Sequence, residues 1–279
     1  MIEIHRFGEL SNSQKKALIK LTFKKNGRHL LRNYRPISLL NTDIKLITKI
    51  LANRLAKVLP NIIHESQKCV PGRKITDNIH LAQDLIESII QKGEGGAYIF
   101  LDQEKAFDRI SHKFLFKTLN KFGFGENFIK WVKTIYNKVN SRVKVNGYLT
   151  EEINITRGLR QGCALSALLY VLVSEVLHTN IRKDEKIKGF IIGGKHHKDL
   201  SFADDMKAAL TTENSIPALF DLLKIYEEAT NAKINKGKTE ALWLGKWREK
   251  QNRPLNLNWI NSGVKFLGIY IENDGEEVK

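Results

Sequence analysis

The segment Ala97-Tyr98-Ile99-Phe100-Leu101-Asp102 is a continuous apolar run that stops on a carboxylate, and the glycines of GEGG at 93–96 stand before it. So short and so apolar a run, set off by glycines, predicts a buried central strand. Beyond Asp102, helix and strand alternate. Periodicity predicts helices over 112–122, 126–140, 163–180 and 214–230. Asn146-Gly147 between alternating residues predicts a hairpin. IKGFIIGG and KDLSFADDMKAAL read as strands about a tight turn with the acidic pair at the bend, and further short strands fall near 239–244 and 264–270. These elements imply an α+β fold: a small sheet with helices packed on one side.

The residues before 95 read differently. Over 41–59, apolar Ile44, Ile47, Leu51, Leu55 and Val58 recur at helical spacing behind the capping side chains of Asn41, Thr42 and Asp43, and Pro60 is expected to end the helix. Its other face carries Lys45, Lys49, Arg54 and Lys57. A second helix is expected from Thr76 or Asp77 to Gln91. The front third is thus a basic helical subdomain.

Charge narrows the function. Lys and Arg number 46 against 30 Asp and Glu, a net of +16, and residues 1–90 alone hold 16 basic and 7 acidic residues. Such a balance suits a chain that meets a polyanion. No apolar run approaches the roughly 20 residues of a membrane span, and MIEIHRFGEL has no signal-peptide pattern. A soluble intracellular protein with no membrane partner is expected. Cys69 and Cys163 form no CxxC pattern and read as reduced thiols, so a bound metal would sit on carboxylates.

Three carboxylates stand at the ends of apolar runs: Asp102, and Asp204-Asp205 in SFADDM. Each alone reads as a turn or cap residue. Converging at the ends of adjacent strands, they would suit Mg²⁺, which takes a few carboxylates together with waters and substrate phosphates. Two ions roughly 4 Å apart serve phosphoryl transfer.

The surrounding words settle between these readings. NYRPISLLNTDIKLITKILANRLAKVLP, HESQKCVPGRKITDNI, LDQEKAFDRISHKFLFKTLNKFGF, RVKVNG, TRGLRQGCALSALLYVLVSEVL, IKGF, LSFADDM, KINKGKTEA and VKFLGIYI stand in this order from about residue 7 to 271. The series resembles the reverse transcriptase of non-LTR retrotransposons of the long interspersed element (LINE) type. The resemblance implies right-hand polymerase fingers (about 1–95) and a palm (about 96–275) with a small antiparallel sheet and packed helices, a tail at 276–279 and no thumb. It implies an RNA-directed DNA polymerase that extends a primer 3′-hydroxyl with deoxynucleoside triphosphates on an RNA template, using two Mg²⁺ ions with Mn²⁺ as a substitute. Thumb and endonuclease would then lie elsewhere in a longer polyprotein, and an active element would work in cytoplasm and nucleus.

Residue by residue, the resemblance makes Asp102, Asp204 and Asp205 the catalytic, metal-binding aspartates. Phe107 matches the aromatic under the incoming sugar, where a ring leaves no room for a 2′-hydroxyl. Gln161 and Gly162 of RQG match residues near the nucleotide. Arg35, Lys24 and Lys25 match basic residues that close on the triphosphate, and Lys238 matches a lysine that protonates pyrophosphate, with Lys233 and Lys236 as rivals. Arg73 resembles a template contact, joined by the basic face of Lys45 and Lys49. Two departures stand out: Ala164 and Ala167 replace prolines, and Lys68-Cys69 replaces a glycine-aromatic pair. They keep open the alternative of a non-catalytic nucleic-acid-binding relic or a truncated fragment of the polyprotein.

Overall fold

The computed structural model describes residue 4, residue 6, residues 8–24 and residues 27–272. Its elements, in chain order, are α1 (Asn12–Lys15), β1 (Lys16–Phe23), β2 (Tyr34–Leu40), α2 (Thr42–Ile62), α3 (Ile75–Gln91), β3 (Gly95–Leu101), α4 (Ala106–Arg109), α5 (His112–Lys121), α6 (Glu126–Tyr136), β4 (Asn140–Val145), β5 (Tyr148–Leu149), β6 (Ile153–Asn154), α7 (Ser166–Lys183), β7 (Phe190–Ile192), β8 (Lys195–His197), β9 (Asp199–Phe202), β10 (Asp205–Leu210), α8 (Ser215–Thr230), β11 (Glu240–Gly245), β12 (Asn258–Ile260), β13 (Gly263–Phe266) and β14 (Ile269–Glu272). They group into two units, one of Met1–Val58 with Phe107–Val173, the other of Leu59–Ala106 with Ser174–Lys279. Neither follows the linear division at 95/96 that the sequence suggested.

The first unit holds a five-stranded sheet in which β1 pairs antiparallel with β2 and parallel with β4, and β4 pairs with β5 and β6. The front third is therefore not purely helical, as the spacing alone suggested. Of the eight residues of β1 only Ala17 is buried, so no inside-outside alternation marked it as a strand. Pro36 interrupts β2, which its place at the sheet edge tolerates because no ladder partner needs the missing N–H on that side. The helix expected to end at Pro60 runs to Ile62. Proline in the last turn removes one hydrogen bond, and Ile63 N still donates to Leu59 O at 2.9 Å. The helix expected over 126–140 stops at Tyr136, and Asn140–Val145 becomes β4. The Asn146-Gly147 turn joins β4 to β5 with φ of +49° and +88°, the two left-handed positions such a hairpin requires.

The second unit is built on a sheet of order β12-β11-β3-β10-β9. All seven residues of β3 are buried, as the glycine-flanked run predicted. Ala97, Ile99 and Leu101 face a core completed by Leu177 and Ile181 of α7 and Ile216, Leu219 and Leu223 of α8. Tyr98 and Phe100 face the opposite core, with Leu85, Ile86 and Ile89 of α3 and Val264, Phe266 and Ile271 of the β13–β14 hairpin. Both faces are covered, not one as expected. The sheet is antiparallel except for β12, which runs parallel to β11. Trp243 and Trp259 stack at 3.9 Å within the first of these cores and are packing residues. Lys207 of β10 is fully buried among rings, its Nζ 4.0 Å from the Tyr98 centroid and 4.1 Å from that of Phe266, with no hydrogen-bond partner among the described residues.

Candidate active site

Register places the carboxylates of the second unit. β10 runs antiparallel to β3 with Met206 opposite Leu101, so one further step sets Asp205 opposite Asp102, the residue that follows β3. β10 also pairs with β9, Asp205 opposite Phe202, which leaves Ala203 and Asp204 as a two-residue turn. Adjacent central strands thus deliver all three aspartates to one end of the sheet. Asp102 and Asp204 are half-buried and Asp205 is exposed. Among the described residues, no three His, Cys, Asp or Glu side chains close into a metal-holding group. The donor set is nonetheless carboxylate oxygen alone, which fits a hard divalent cation with an incomplete protein shell.

Two flanking segments fix this end. Asp102 O accepts from Asn235 N at 2.8 Å, Asp102 N donates to the buried Thr239 Oγ1 at 3.4 Å, and Glu104 N donates to Lys233 O at 2.8 Å. The lysine segment is therefore sewn to the end of β3. Lys233 pairs with Glu104 at 3.7 Å and Lys236 lies 6.0 Å over the Phe220 ring, whereas Lys238 is exposed. On the other side, Ser66–Lys68 lies along the edge of β9: Ser201 N donates to Ser66 O and Lys68 N to Ser201 O. The Gln67 side chain, wholly buried, reaches Ala203 from there. Sequence reasoning missed Gln67, because its word SQKCV was legible only as a motif. Burial, and then the negative charge of Asp204, push the Cys69 thiol pKa up, which marks how near this segment comes to the carboxylate. Asp199, at the far end of β9, is committed elsewhere. Burial raises its pKa, but the hydrogen bonds and charges of His178, Arg182 and Ser66 outweigh that and hold it low.

The residues expected to meet the nucleotide fall in the first unit. The half-buried Phe107 ring stacks on Tyr170 at 4.6 Å. Gln161 donates from Nε2 to Asp108 Oδ1 at 2.9 Å, and its carbonyl accepts from Ser38 N at 2.7 Å. Gly162 has φ +101°, and a Cβ there would lie 2.6 Å from Ser38 O, so only glycine fits. Arg35 stands opposite Thr22 on the β1–β2 ladder, and Lys24 N donates to Asn33 O at 2.9 Å; both side chains are exposed. Lys25 lies outside the described residues. Lys45 and Lys49 are exposed on α2, as the basic face predicted.

Arg73 is tied to backbone carbonyls. Expected at the template, it lies in the second unit and donates to four carbonyls, His64 and Gln67 through NH1 (2.6 and 2.8 Å) and Pro60 and Ile63 through NH2 (3.0 and 2.7 Å). Its guanidinium closes the C-terminus of α2 and the loop beyond it.

Comparison with known proteins agrees with this geometry. Residues 23–271 match the family described as reverse transcriptase (RNA-dependent DNA polymerase). The chain is 34% identical over 276 residues to the transposon TX1 uncharacterized 149 kDa protein of Xenopus laevis, an alignment covering 97% of this chain and 21% of that protein. It is 27% identical over 208 residues to the retrovirus-related Pol polyprotein from type-2 retrotransposable element R2DM of Drosophila melanogaster, covering 74% and 19%. The chain thus spans about a fifth of the length of these relatives. In fold it is similar to telomerase from Candida tropicalis in complex with a TWJ fragment of telomeric RNA, with a TM-score of 0.67 at 13% identity over 97% of this chain and 45% of that one. With the family match extending over most of its length and the TX1 relative aligned nearly end to end, the chain belongs to the reverse transcriptase (RNA-dependent DNA polymerase) family.

Proposed function

We propose that the chain is the fingers and palm portion of an RNA-directed DNA polymerase, adding deoxynucleotides to a primer 3′-hydroxyl on an RNA template. The observation that carries this is the register of β3, β10 and β9, which delivers Asp102, Asp204 and Asp205 to one sheet end. These residues hold the divalent cations, Mg²⁺ with Mn²⁺ as a substitute. When bound, the ions supply activation of the hydroxyl and stabilisation of the departing pyrophosphate.

The chain's own residues take the remaining roles. Lys238, exposed beside the segment that anchors Asp102, gives a proton to pyrophosphate. Phe107, backed by Tyr170, has little freedom to retreat from a ribose 2′-hydroxyl and so favours deoxynucleotides. Gln161, oriented by Asp108, contacts the nucleotide. Arg35 offers the triphosphate a fork of donors and Lys24 a point charge. Lys45 and Lys49 meet the nucleic-acid backbone.

The test is primer extension on a homopolymer RNA template. The chain extends the primer with deoxynucleotides in Mg²⁺, a chelator stops it, and Asp102→Asn loses extension while retaining primer-template affinity. A folded chain that binds primer-template in Mg²⁺ without extending it is instead the non-catalytic relic.

A further inference from the structure

The turn that carries Asp204 is strained, and one buried side chain holds it. Ala203 sits at φ +54°, a left-handed conformation that costs a residue with a Cβ on the order of 1 kcal/mol and that glycine adopts freely. A two-residue hairpin turn with φ above zero at its first position alone, as at Ala203 and not Asp204, usually has glycine there. The opposing hold is Gln67, whose side chain is completely buried. Its Oε1 accepts from Ala203 N at 2.9 Å, and its Nε2 donates to Ala203 O at 3.3 Å. The primary amide thus pairs with both the N–H and the C=O of the strained residue. The same Oε1 accepts from Cys69 N at 2.9 Å, so the amide is fixed from its own segment as well.

The mount of that amide is itself rigid. Asn78 of α3, also fully buried, donates through Nδ2 to Ser66 O at 3.2 Å and Ser201 O at 2.9 Å, bridging the Gln67 segment to β9. Arg73 grips the Gln67 carbonyl at 2.8 Å. A buried amide that satisfies three polar groups leaves them all exposed to desolvation cost when removed. This is more hold than a surface hairpin needs, and it acts on the residue immediately before Asp204.

From this arrangement we propose that Gln67 is a positioning residue for the reaction, a buried amide clamp that keeps Ala203 left-handed and thereby aims the Asp204 carboxylate. The inference rests on the polymerase reading above. It adds that the precision of the carboxylate end is supplied by a residue that touches neither metal nor substrate. Partners of this kind typically alter metal affinity or activity roughly 10–100-fold when removed.

The test uses Gln67→Met, which keeps length and packing while deleting all three hydrogen bonds. The expected result is a fall in kcat of roughly 10–100-fold and a higher Mg²⁺ concentration for half-maximal rate. KM for the deoxynucleotide and affinity for primer-template stay at parental values. Gln67→Glu retains the acceptor oxygens for Ala203 N and Cys69 N and is expected to lie between Gln67→Met and the parent. The decisive variant is Ala203→Gly in the Gln67→Met background. Glycine needs no clamp to stay left-handed, so it restores at least half of the lost rate on a logarithmic scale.

Should Gln67→Met not fold, Gln67→Glu with and without Ala203→Gly carries the same comparison. Asp204→Asn is measured beside them. If Asp204→Asn extends primers like the parent, the polymerase reading of the carboxylates fails. If Asp204→Asn is inactive while the Gln67 variants match the parent in kcat and Mg²⁺ dependence, or if glycine at 203 restores nothing, the clamp is overturned and the polymerase reading stands.

Discussion

In the second unit the groups around Asp102, Asp204 and Asp205 are tied down from buried positions. Thr239, Gln67 and Asn78 are all inaccessible to solvent; Thr239 bonds Asp102 N, Gln67 bonds Ala203, and Asn78 bonds Ser201 O in the strand that leads into the turn. In the first unit Arg35, Lys24, Lys45 and Lys49 stand in solvent on a strand ladder and a helix face. The difference follows from what each group has to do. A carboxylate that must sit within a fraction of an ångström of a cation needs a rigid mount, and only a two-sided core supplies one. A cation that meets phosphate does so through a long-range, screened attraction that tolerates side-chain motion.

The largest test of this contrast sets Asp204→Asn against Arg35→Gln. On the proposed role of Asp204 as a metal ligand, its loss costs several kcal/mol of transition-state stabilisation, so single-turnover extension by Asp204→Asn should fall by about 10³ or more. On the proposed role of Arg35 at the triphosphate, Arg35→Gln would lose charge-assisted hydrogen bonds worth about 1.5–3 kcal/mol and should weaken nucleotide affinity by roughly 10–100-fold while leaving the maximal rate nearly intact. Equal losses in rate for the two would erase the distinction between mount and attractor.

Arg73 sharpens it further, because its guanidinium bonds backbone carbonyls as the mounts do. Arg73→Met is expected to destabilise the fold by about 1.5–3 kcal/mol, read from denaturant or thermal melts. It should leave the salt dependence of primer-template binding unchanged. Reversing Lys45 and Lys49 to Glu should do the opposite, with little change in stability. Each phosphate that is no longer neutralised flattens the log-log salt slope by about 0.9 on a duplex of B-type charge density. A flattened slope in Arg73→Met would return that residue to the template.

Phe107→Val should reduce discrimination against ribonucleotides by about 1–3 kcal/mol, measured as the ratio of incorporation efficiencies. A fixed ratio would make the Phe107–Tyr170 stack plain core packing.

The smallest effect concerns Lys207, whose amine is fully buried among aromatic rings. Burial drives its pKa well below the ordinary lysine value. Between the folded and unfolded pKa values the unfolded chain binds the extra proton, so the parent gains stability as pH rises through that window. Lys207→Met removes this dependence and should stabilise the protein at pH 7. The gain should vanish as pH approaches roughly 10.4, the unfolded value. A gain that persists at that pH would attribute it to packing instead of charge.

By itself the sequence determined β3 as a buried strand, the register-ready acidic pair of FADD, the Asn146-Gly147 hairpin and the amphipathic α3. Each rests on local chemistry: apolar runs, helical spacing, left-handed turn residues. It also carried the family, because the order of its words needs no coordinates. It did not reveal β1 and β2, whose strand state comes from ladder partners and not from their own alternation, nor the second covered face of the central sheet. The contacts of Arg73 and Gln67 were out of reach for the same reason. A guanidinium reads as a phosphate ligand and a glutamine as surface until the chain folds. Only the tertiary structure brings Arg73 onto the carbonyls of Pro60, Ile63, His64 and Gln67, and Gln67 onto a turn 136 residues away. Polar side chains carry no periodic signal, and their partners are fixed by burial, which makes leaving them unpaired costly.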